Sequence, residues 1–291
     1  MTELRDLVAE ELGAPVDPRV SAMAEAIAAK HGEASRALLF YGSCLRQEQL
    51  EGLMLDFYLI VSDYDAAYAK RWLATANRLI PPNVFYFEHT GLVAKYAVLS
   101  EAVFARECGP DARSTSVVAR FAQPSRLVWT SGEAAASCAV SSVSQCAPTL
   151  LAWAQPLAPQ GSRVLDLWKR AFQLTFASEL RAERSDRSGM IVDADPARYQ
   201  RFGEAALAML DSSRRRPDAR WWRHMQRKGK LLSVLRLAKA SGTFAGGADY
   251  IAWKINRHAG TKIELKPWQR RHPLLAGLSL LPRLLRSGAI R

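Results

Sequence analysis

Cysteine is scarce. The 291 residues contain four, Cys44, Cys108, Cys138 and Cys146, with no C-x-x-C pair and no histidine at ligand spacing. Neither a zinc site nor a disulfide framework is therefore suggested, and a reducing compartment is expected. The five histidines share no metal-binding spacing, and no Ser-His-Asp or Cys-His arrangement is visible. Nowhere do about 18 apolar residues run together, so no membrane-spanning helix is expected. The opening MTELRDLVAEELGAP carries acids and lacks both the apolar core of a secretory signal and the acid-poor character of a transit peptide. A cytoplasmic protein is expected on those grounds. Internal repeats and low-complexity segments are also absent.

Acidic residues are nearly missing from one part of the chain. Residues 214–291 hold 19 of the 40 Lys and Arg but only three of the 28 acids, Asp218, Asp249 and Glu264. The net charge of +12 thus divides into +16 there and −4 in the rest. Such asymmetry implies that the tail meets a polyanion, either a nucleic acid or an anionic membrane surface.

Apolar periodicity predicts an α/β (α+β) architecture with a mixed sheet. RALLFYGSCL reads as a strand ending in a Gly-Ser turn, and LMLDFYLIVS as a second strand. DYDAAYAKRWLATANRL reads as helical; NVFYFEHT and LVAKYAVLS read as a hairpin turning at Thr90 and Gly91. A short helix and the stretch STSVVARFAQPSRLVWTS follow. The expected organisation is an N-terminal helical segment (1–32), an α/β domain (33–132), an Ala- and Leu-rich helical domain without strand signals (133–213) and the basic tail (214–291).

Asp56 is a single carboxylate inside LMLDFYLIV, about ten residues after the Gly42-Ser43 turn. That is the arrangement of nucleotidyltransferases. There a small turn lets backbone amides and a Ser hydroxyl approach a triphosphate, while carboxylates on the next strand hold Mg2+. Gly42 and Ser43 are then triphosphate-binding candidates and Asp56 a metal ligand; the alternatives are a plain tight turn and an ion pair. The Asp-x-Asp pattern common in such proteins fails here, because position 58 is Tyr58. Asp63, Asp65 and Glu88 are the candidates for a second Mg2+ ligand, although Asp63 and Asp65 equally suit a helix N-cap. Lys95 sits on an otherwise apolar strand, where pairing with a phosphate or with Asp56 would remove the cost of burying its charge; the alternative is a strand-edge lysine that snorkels out to solvent. Tyr96, on the opposite face, is expected in the core. Arg120 and Arg126 flank FAQPS and offer bidentate recognition of phosphate, with surface ion pairs as the ordinary alternative.

Taken together, YGSCLRQ, MLDFYLIVSD, AKYAVLS, ARFAQPSRLV and SELRAERSD resemble, in order and rough spacing, motifs of the mitochondrial-type phosphatidate cytidylyltransferases, the Tam-type translocator assembly and maintenance family. The resemblance covers roughly residues 38–200. In that family an aliphatic residue likewise replaces the second strand carboxylate. It implies a nucleotidyltransferase-like fold and Mg2+-dependent transfer of CMP from CTP to phosphatidate, at the inner face of the cell membrane. It favours Asp63 by spacing as the second metal ligand and Arg120 over Arg126, and it adds Glu179 and Arg181, which match its S-G-D-x-R stretch, with Arg181 a nucleotide-binding candidate. This chain departs from the family at Cys44, Ala119, Ala122-Gln123 and Glu179, and lacks a His-Tyr-Ser stretch.

WWRHMQRKGKLLSVLRLAKASGTF and the closing WQRRHPLLAGLSLLPRLLRSGAIR combine basic and apolar residues as a helix lying in a membrane interface would. Trp221, Trp222, Trp253 and Trp268 could instead stack on bases, which leaves nucleic acid as a second partner class. An oligomer interface is a third explanation for the apolar run. The competing functional readings are a nucleotidyltransferase acting on RNA or a small molecule, and a non-catalytic binding protein of the same fold.

Overall fold

The computed structural model describes residues 3–46, 50–178, 187–210, 216–243 and 266–267. Among them, five strands form one mixed sheet: β1 (Ser35–Tyr41), β2 (Met54–Val61), β3 (Asn83–His89), β4 (Leu92–Ser100) and β5 (Ser125–Thr130). Their order is β3-β4-β2-β1-β5. The central pair, β2 and β4, is parallel, and every other pairing is antiparallel. β3 and β4 form the expected hairpin, with Thr90 and Gly91 both at positive φ, as a two-residue turn of this hand requires.

β2 reads MLDFYLIV, apolar on both sides of its pleat, so the sheet must be covered on both faces. One face, with Phe40, Phe57, Leu59 and Val98, packs on α2 (Pro18–Ala29) and on Tyr64, Tyr68 and Ala74. α2 presents Val20, Met23, Ala24 and Ile27 at helical spacing. Asp17 caps it by accepting from Arg19 N at 2.8 Å. The other face, with Leu39, Tyr58, Ile60 and Leu99, belongs to a larger core built with α1 (Glu3–Gly13), α5 (Glu101–Cys108), α6 (Ser116–Phe121), α7 (Glu133–Val143), α8 (Cys146–Ala154), α9 (Val164–Phe176) and α11 (Pro196–Ala208). All nine residues of α8 are buried, which is why CAPTLLAWA shows no polar face. α10 (Arg187–Asp193) packs against α9. The helices after residue 132 therefore share a continuous core with the sheet.

Where the sequence reads as one helix after β2, the structure has two, α3 (Tyr64–Ala67) and α4 (Arg71–Leu79). Tyr68 between them is extended, at φ −128° and ψ 120°. Its ring is buried on the sheet and its hydroxyl accepts from Asn77 Nδ2 at 3.3 Å. Burying that ring outweighs continuation of the helix.

The described helix of the basic region is α12 (Ala219–Thr243), and it is docked on the body. Trp222 is buried and donates from Nε1 to Trp153 O at 3.0 Å. Gly229 lies so close to Ser178 that a Cβ there would meet the Ser178 carbonyl and come within 3.1 Å of its Cβ. Further along, Arg236 Nε donates to Pro81 O at 2.7 Å and Lys239 Nζ to Pro82 O at 2.8 Å.

His31 follows α2 and fastens it to the sheet. Its Nδ1 lies 3.0 Å from Ala67 O and its Nε2 3.2 Å from Tyr96 OH. A carbonyl can only accept, so Nδ1 carries the proton and Nε2 accepts from the phenol. Burial lowers the imidazole's pKa, chiefly by desolvation. The unfolded chain therefore takes up this proton first, and stability should fall as pH drops below about 6.5 toward the folded pKa. Urea midpoints measured from pH 7.5 to 5 should show this loss. His31→Gln should be less stable at neutral pH but have a shallower acid slope, and an unchanged slope would contradict the assignment.

Candidate active site

Chemistry-bearing groups gather at one end of the sheet, where β1 finishes and β2 begins. Gly42 leaves β1 with φ +96°, a conformation that L side chains rarely adopt. An added Cβ would lie 3.3 Å from Asp56 Oδ2, so the turn is seated directly on the carboxylate. Ser43 opens a short 3-10 turn (Ser43–Arg46) and is exposed, while Cys44 behind it is buried. The backbone can thus approach a ligand at 42 and 43 with Asp56 immediately behind.

Asp56 pairs across β2 and β4 with Lys95, whose Nζ stands 3.0 Å from Oδ1. The two side chains are 20% and 29% exposed, enough for a solute to reach both. Oδ1 itself is buried and, among the described residues, makes no hydrogen bond beyond this ion pair. Directly opposite residues form a row across the sheet: Tyr86, Lys95, Asp56, Tyr41 and Ser125. Tyr96 faces the other way and is buried, as expected.

Tyr58 occupies the place of the second carboxylate of Asp-x-Asp, and it binds a cation differently. Its hydroxyl accepts from Arg120 Nη1 at 3.3 Å, and the guanidinium lies 4.9 Å from the Tyr41 ring centre and 5.8 Å from that of Tyr58. Two phenol rings thus hold Arg120 by its π-faces at an end of the sheet that also bears Lys95. Arg126, on β5, donates to Ser125 O at 2.9 Å, and burial lowers its pKa. It remains charged, as arginine does in proteins.

Arg198 is a member of this surrounding that the sequence did not reveal. It begins α11 almost fully buried, between the rings of Tyr199 and Phe202. Its guanidinium binds the Glu11 carboxylate, with Nη2 to Oε1 at 2.9 Å, and donates from Nη1 to Ala122 O at 3.2 Å. Ala122 joins α6 to β5, so this pair fixes the connection that carries Arg120 and Arg126. The Asp195-Pro196 start of α11 is a legible cap, with Asp195 accepting from Arg198 N at 3.0 Å. The partner lies 187 residues away, and nothing local signals it.

Other candidates stand elsewhere. Asp63 and Asp56 do not share a metal: seven residues of extended chain at about 3.3 Å each put Asp63 at the far end of β2, about 23 Å away. Its carboxylate caps α3, accepting from Asp65 N at 2.8 Å and Ala66 N at 2.9 Å. The expectation that Asp63 completes a metal site with Asp56 is corrected accordingly: its carboxylate serves the first turn of α3. Asp65 pairs with Arg78 in solvent. Glu88 is exposed on β3, two residues from Tyr86. Glu179 and Arg181 lie outside the described residues.

Among the described residues no three His, Cys, Asp or Glu side chains converge on one point. Mg2+ would be compatible with the site in one manner, held by Asp56 with phosphate oxygens and water supplying its other ligands. Asp56 would be able to take the metal through an oxygen beside the Gly42 turn, with the Oδ1 atom held by Lys95 until that pair opens.

Breaking the buried Glu11–Arg198 pair leaves an uncompensated charge, which costs about 3–5 kcal/mol. Glu11→Ala should lose about that much in denaturant unfolding, whereas Glu11→Leu combined with Arg198→Met should be nearly neutral. Equal losses in both proteins would show that the pair does not anchor α11 to α1.

No protein-family model matches the chain, and no curated protein matches it, so function is argued from these residues and their arrangement.

Proposed function

We propose that the chain is a nucleotidyltransferase that moves CMP from CTP to phosphatidate, giving CDP-diacylglycerol and pyrophosphate. The observation that carries this reading is the Gly42-Ser43 turn seated on Asp56, with Lys95 paired to the same carboxylate. The choice of CTP and phosphatidate comes from the motif resemblance.

In the proposed reaction an oxygen of the acceptor phosphate attacks the α-phosphorus of the nucleotide. The new phosphorus–oxygen bond forms as the bond to the β-phosphate oxygen breaks, and pyrophosphate leaves with the electron pair. The acceptor is already anionic and needs no general base. Gly42 admits the β- and γ-phosphates to the backbone amides, and Ser43 adds a hydroxyl. Lys95 exchanges its bond to Asp56 for one to phosphate, which releases the carboxylate for Mg2+. When bound, Mg2+ neutralises charge gathering on the phosphate oxygens and the departing pyrophosphate. Arg120, fixed by Tyr41 and Tyr58, presents a planar fork to the acceptor phosphate.

The outer stripe of α12 supports a lipid partner. Arg220, Arg223 and Arg227 lead into Leu231 and Val234, which are 60% and 51% exposed, and no acid occurs from 219 to 243. Basic residues and exposed aliphatics on one stripe fit an anionic bilayer better than a nucleic acid. Among the described residues no helix is long and apolar enough to cross a membrane. The closing apolar run, 273–285, lies outside them. A second reading, a non-catalytic polyanion-binding protein, is favoured by one feature, the Lys95 ammonium already occupying the Asp56 carboxylate.

The test offers α-labelled CTP, ATP or UTP with Mg2+ to the purified protein, together with phosphatidate vesicles or RNA. Label should pass from CTP to lipid, and Asp56→Asn should cut the rate about a hundredfold or more with the fold intact. Transfer by Asp56→Asn at the wild-type rate would defeat the active-site assignment, and label entering RNA would replace the acceptor. Leu231→Asp with Val234→Asp should greatly reduce cosedimentation with the vesicles, whereas full retention would remove α12 from the membrane contact.

A further inference from the structure

A helix lying on a sheet ordinarily turns its large apolar side chains inward. α4 does so only in part. Its sealed positions are Ala74 and Asn77, with Leu73 half-buried beside them, while Trp72 and Leu79 are 50% and 74% exposed. Leu79 is the most exposed large apolar side chain among the described residues. The helix is firmly seated nonetheless: Asn77 Nδ2 donates to Val98 O at 2.9 Å, Asn77 Oδ1 accepts from Asn83 N, and Asn83 Nδ2 donates to Leu73 O at 2.9 Å. Trp72 and Leu79 are therefore presented to solvent by a fixed backbone. At 3.6 residues per turn, a spacing of seven returns to nearly the same bearing, so the two form one stripe with the smaller Thr75 and Ala76 between them. The Thr75 hydroxyl is already satisfied, donating to Arg71 O at 3.2 Å. Charge borders the stripe, with Lys70, Arg71 and Arg78 all exposed and Asp65 paired to Arg78. The Arg78 guanidinium, and then that of Arg71, hold the Asp65 carboxyl below its ordinary pKa, so this acid stands within reach of both.

We infer that this face of α4 receives a second copy of the chain, the two α4 helices packing antiparallel about a two-fold axis. The stripe is complementary to itself. Its midpoint falls between Thr75 and Ala76, so an axis there sets each Trp72 against the partner's Leu79 and lets the helices approach where their side chains are small. Antiparallel helices related in this way bring like flanks together. Each Asp65, paired to its own Arg78, then also faces the partner's Arg71, which offsets the repulsion between the guanidiniums that meet on that flank. The charge balance chooses among occupants, because Asp63 and Asp65 stand beside the three cations and would be repelled by an anionic bilayer or a nucleic acid. A protein contact with an apolar centre and paired charges at its rim fits them. Trp and Arg are also the residues that most often anchor such contacts. A nine-residue helix offers a small interface, so the dimer is expected to be transient and to form at roughly micromolar concentrations and above.

Sedimentation velocity on the full-length protein over a wide concentration range tests this. The average mass should rise from that of one chain toward twice that value, whereas Trp72→Glu combined with Leu79→Glu should stay at one chain throughout. Thr75→Arg keeps both apolar residues but sets two cations face to face at the axis; it should also remain a single chain, and it serves if the first variant fails to fold. Geometry is read by a cross-link. Cys138 is the one exposed cysteine of the four, so in a Cys138→Ser background Thr75→Cys should join two chains by a disulfide on exchange with oxidised glutathione. A wild-type protein that stays a single chain at every concentration would overturn the proposal, as would a Thr75→Cys protein that gives only the glutathione adduct. Self-association that persists in both interface variants would place the dimer on another face and overturn it equally. If Trp72→Glu with Leu79→Glu instead abolished cosedimentation with anionic vesicles while the wild-type chain did not self-associate, the face would belong to a bilayer and the proposal would fall.

Discussion

A sheet that is apolar on both faces can carry charge only at the ends of its strands, and this constraint organises the molecule. Two helical layers cover the sheet, one built around α2 and the other around α8. Between them there is no room for an ionised side chain without a partner, which would cost several kcal/mol. Asp56 and Lys95 escape this by sitting near the starts of parallel neighbouring strands, in register, where each neutralises the other and both reach solvent. Gly42 is required at the same place, because a side chain there would press on the carboxylate.

Substituting Tyr58 for a second carboxylate changes the electrostatics of that end. Two strand carboxylates would make a site that calls for a metal before it tolerates any anion. On the proposed reading, one carboxylate with Lys95 and Arg120 nearby suits an anion, and a metal is called for only when a phosphate has displaced the lysine. The support for this arrangement is remote in sequence. Arg198 reaches from α11 to Glu11 on α1 and to the carbonyl of Ala122, so the first and the eleventh helices jointly hold the segment bearing Arg120.

What the sequence disclosed follows from how local each signal is. The four strands β1 to β4 and the Thr90–Gly91 turn were readable because period-two apolar runs and turn chemistry are written into adjacent residues. The Asp56–Lys95 pairing was foreseeable as one of three outcomes, beside a phosphate partner and a strand-edge lysine reaching out to solvent. Asp63 misled as a metal ligand because the same carboxylate suits a cap and a cation, and only the distance along β2 separates the two. The break at Tyr68, the docking of Trp222 on Trp153 and the Glu11–Arg198 pair depend on partners far along the chain. No pattern within a helix or strand could reveal them.

In the proposed reaction a phosphate must take Lys95 from Asp56. A crystal structure with Mg2+ and a non-hydrolysable CTP analogue tests that most directly. It should show the β- and γ-phosphates against Gly42 and Ser43, Lys95 turned onto phosphate oxygen, and the metal on Asp56. An analogue bound elsewhere, or bound here with the Asp56–Lys95 pair intact and no metal on the carboxylate, would contradict it.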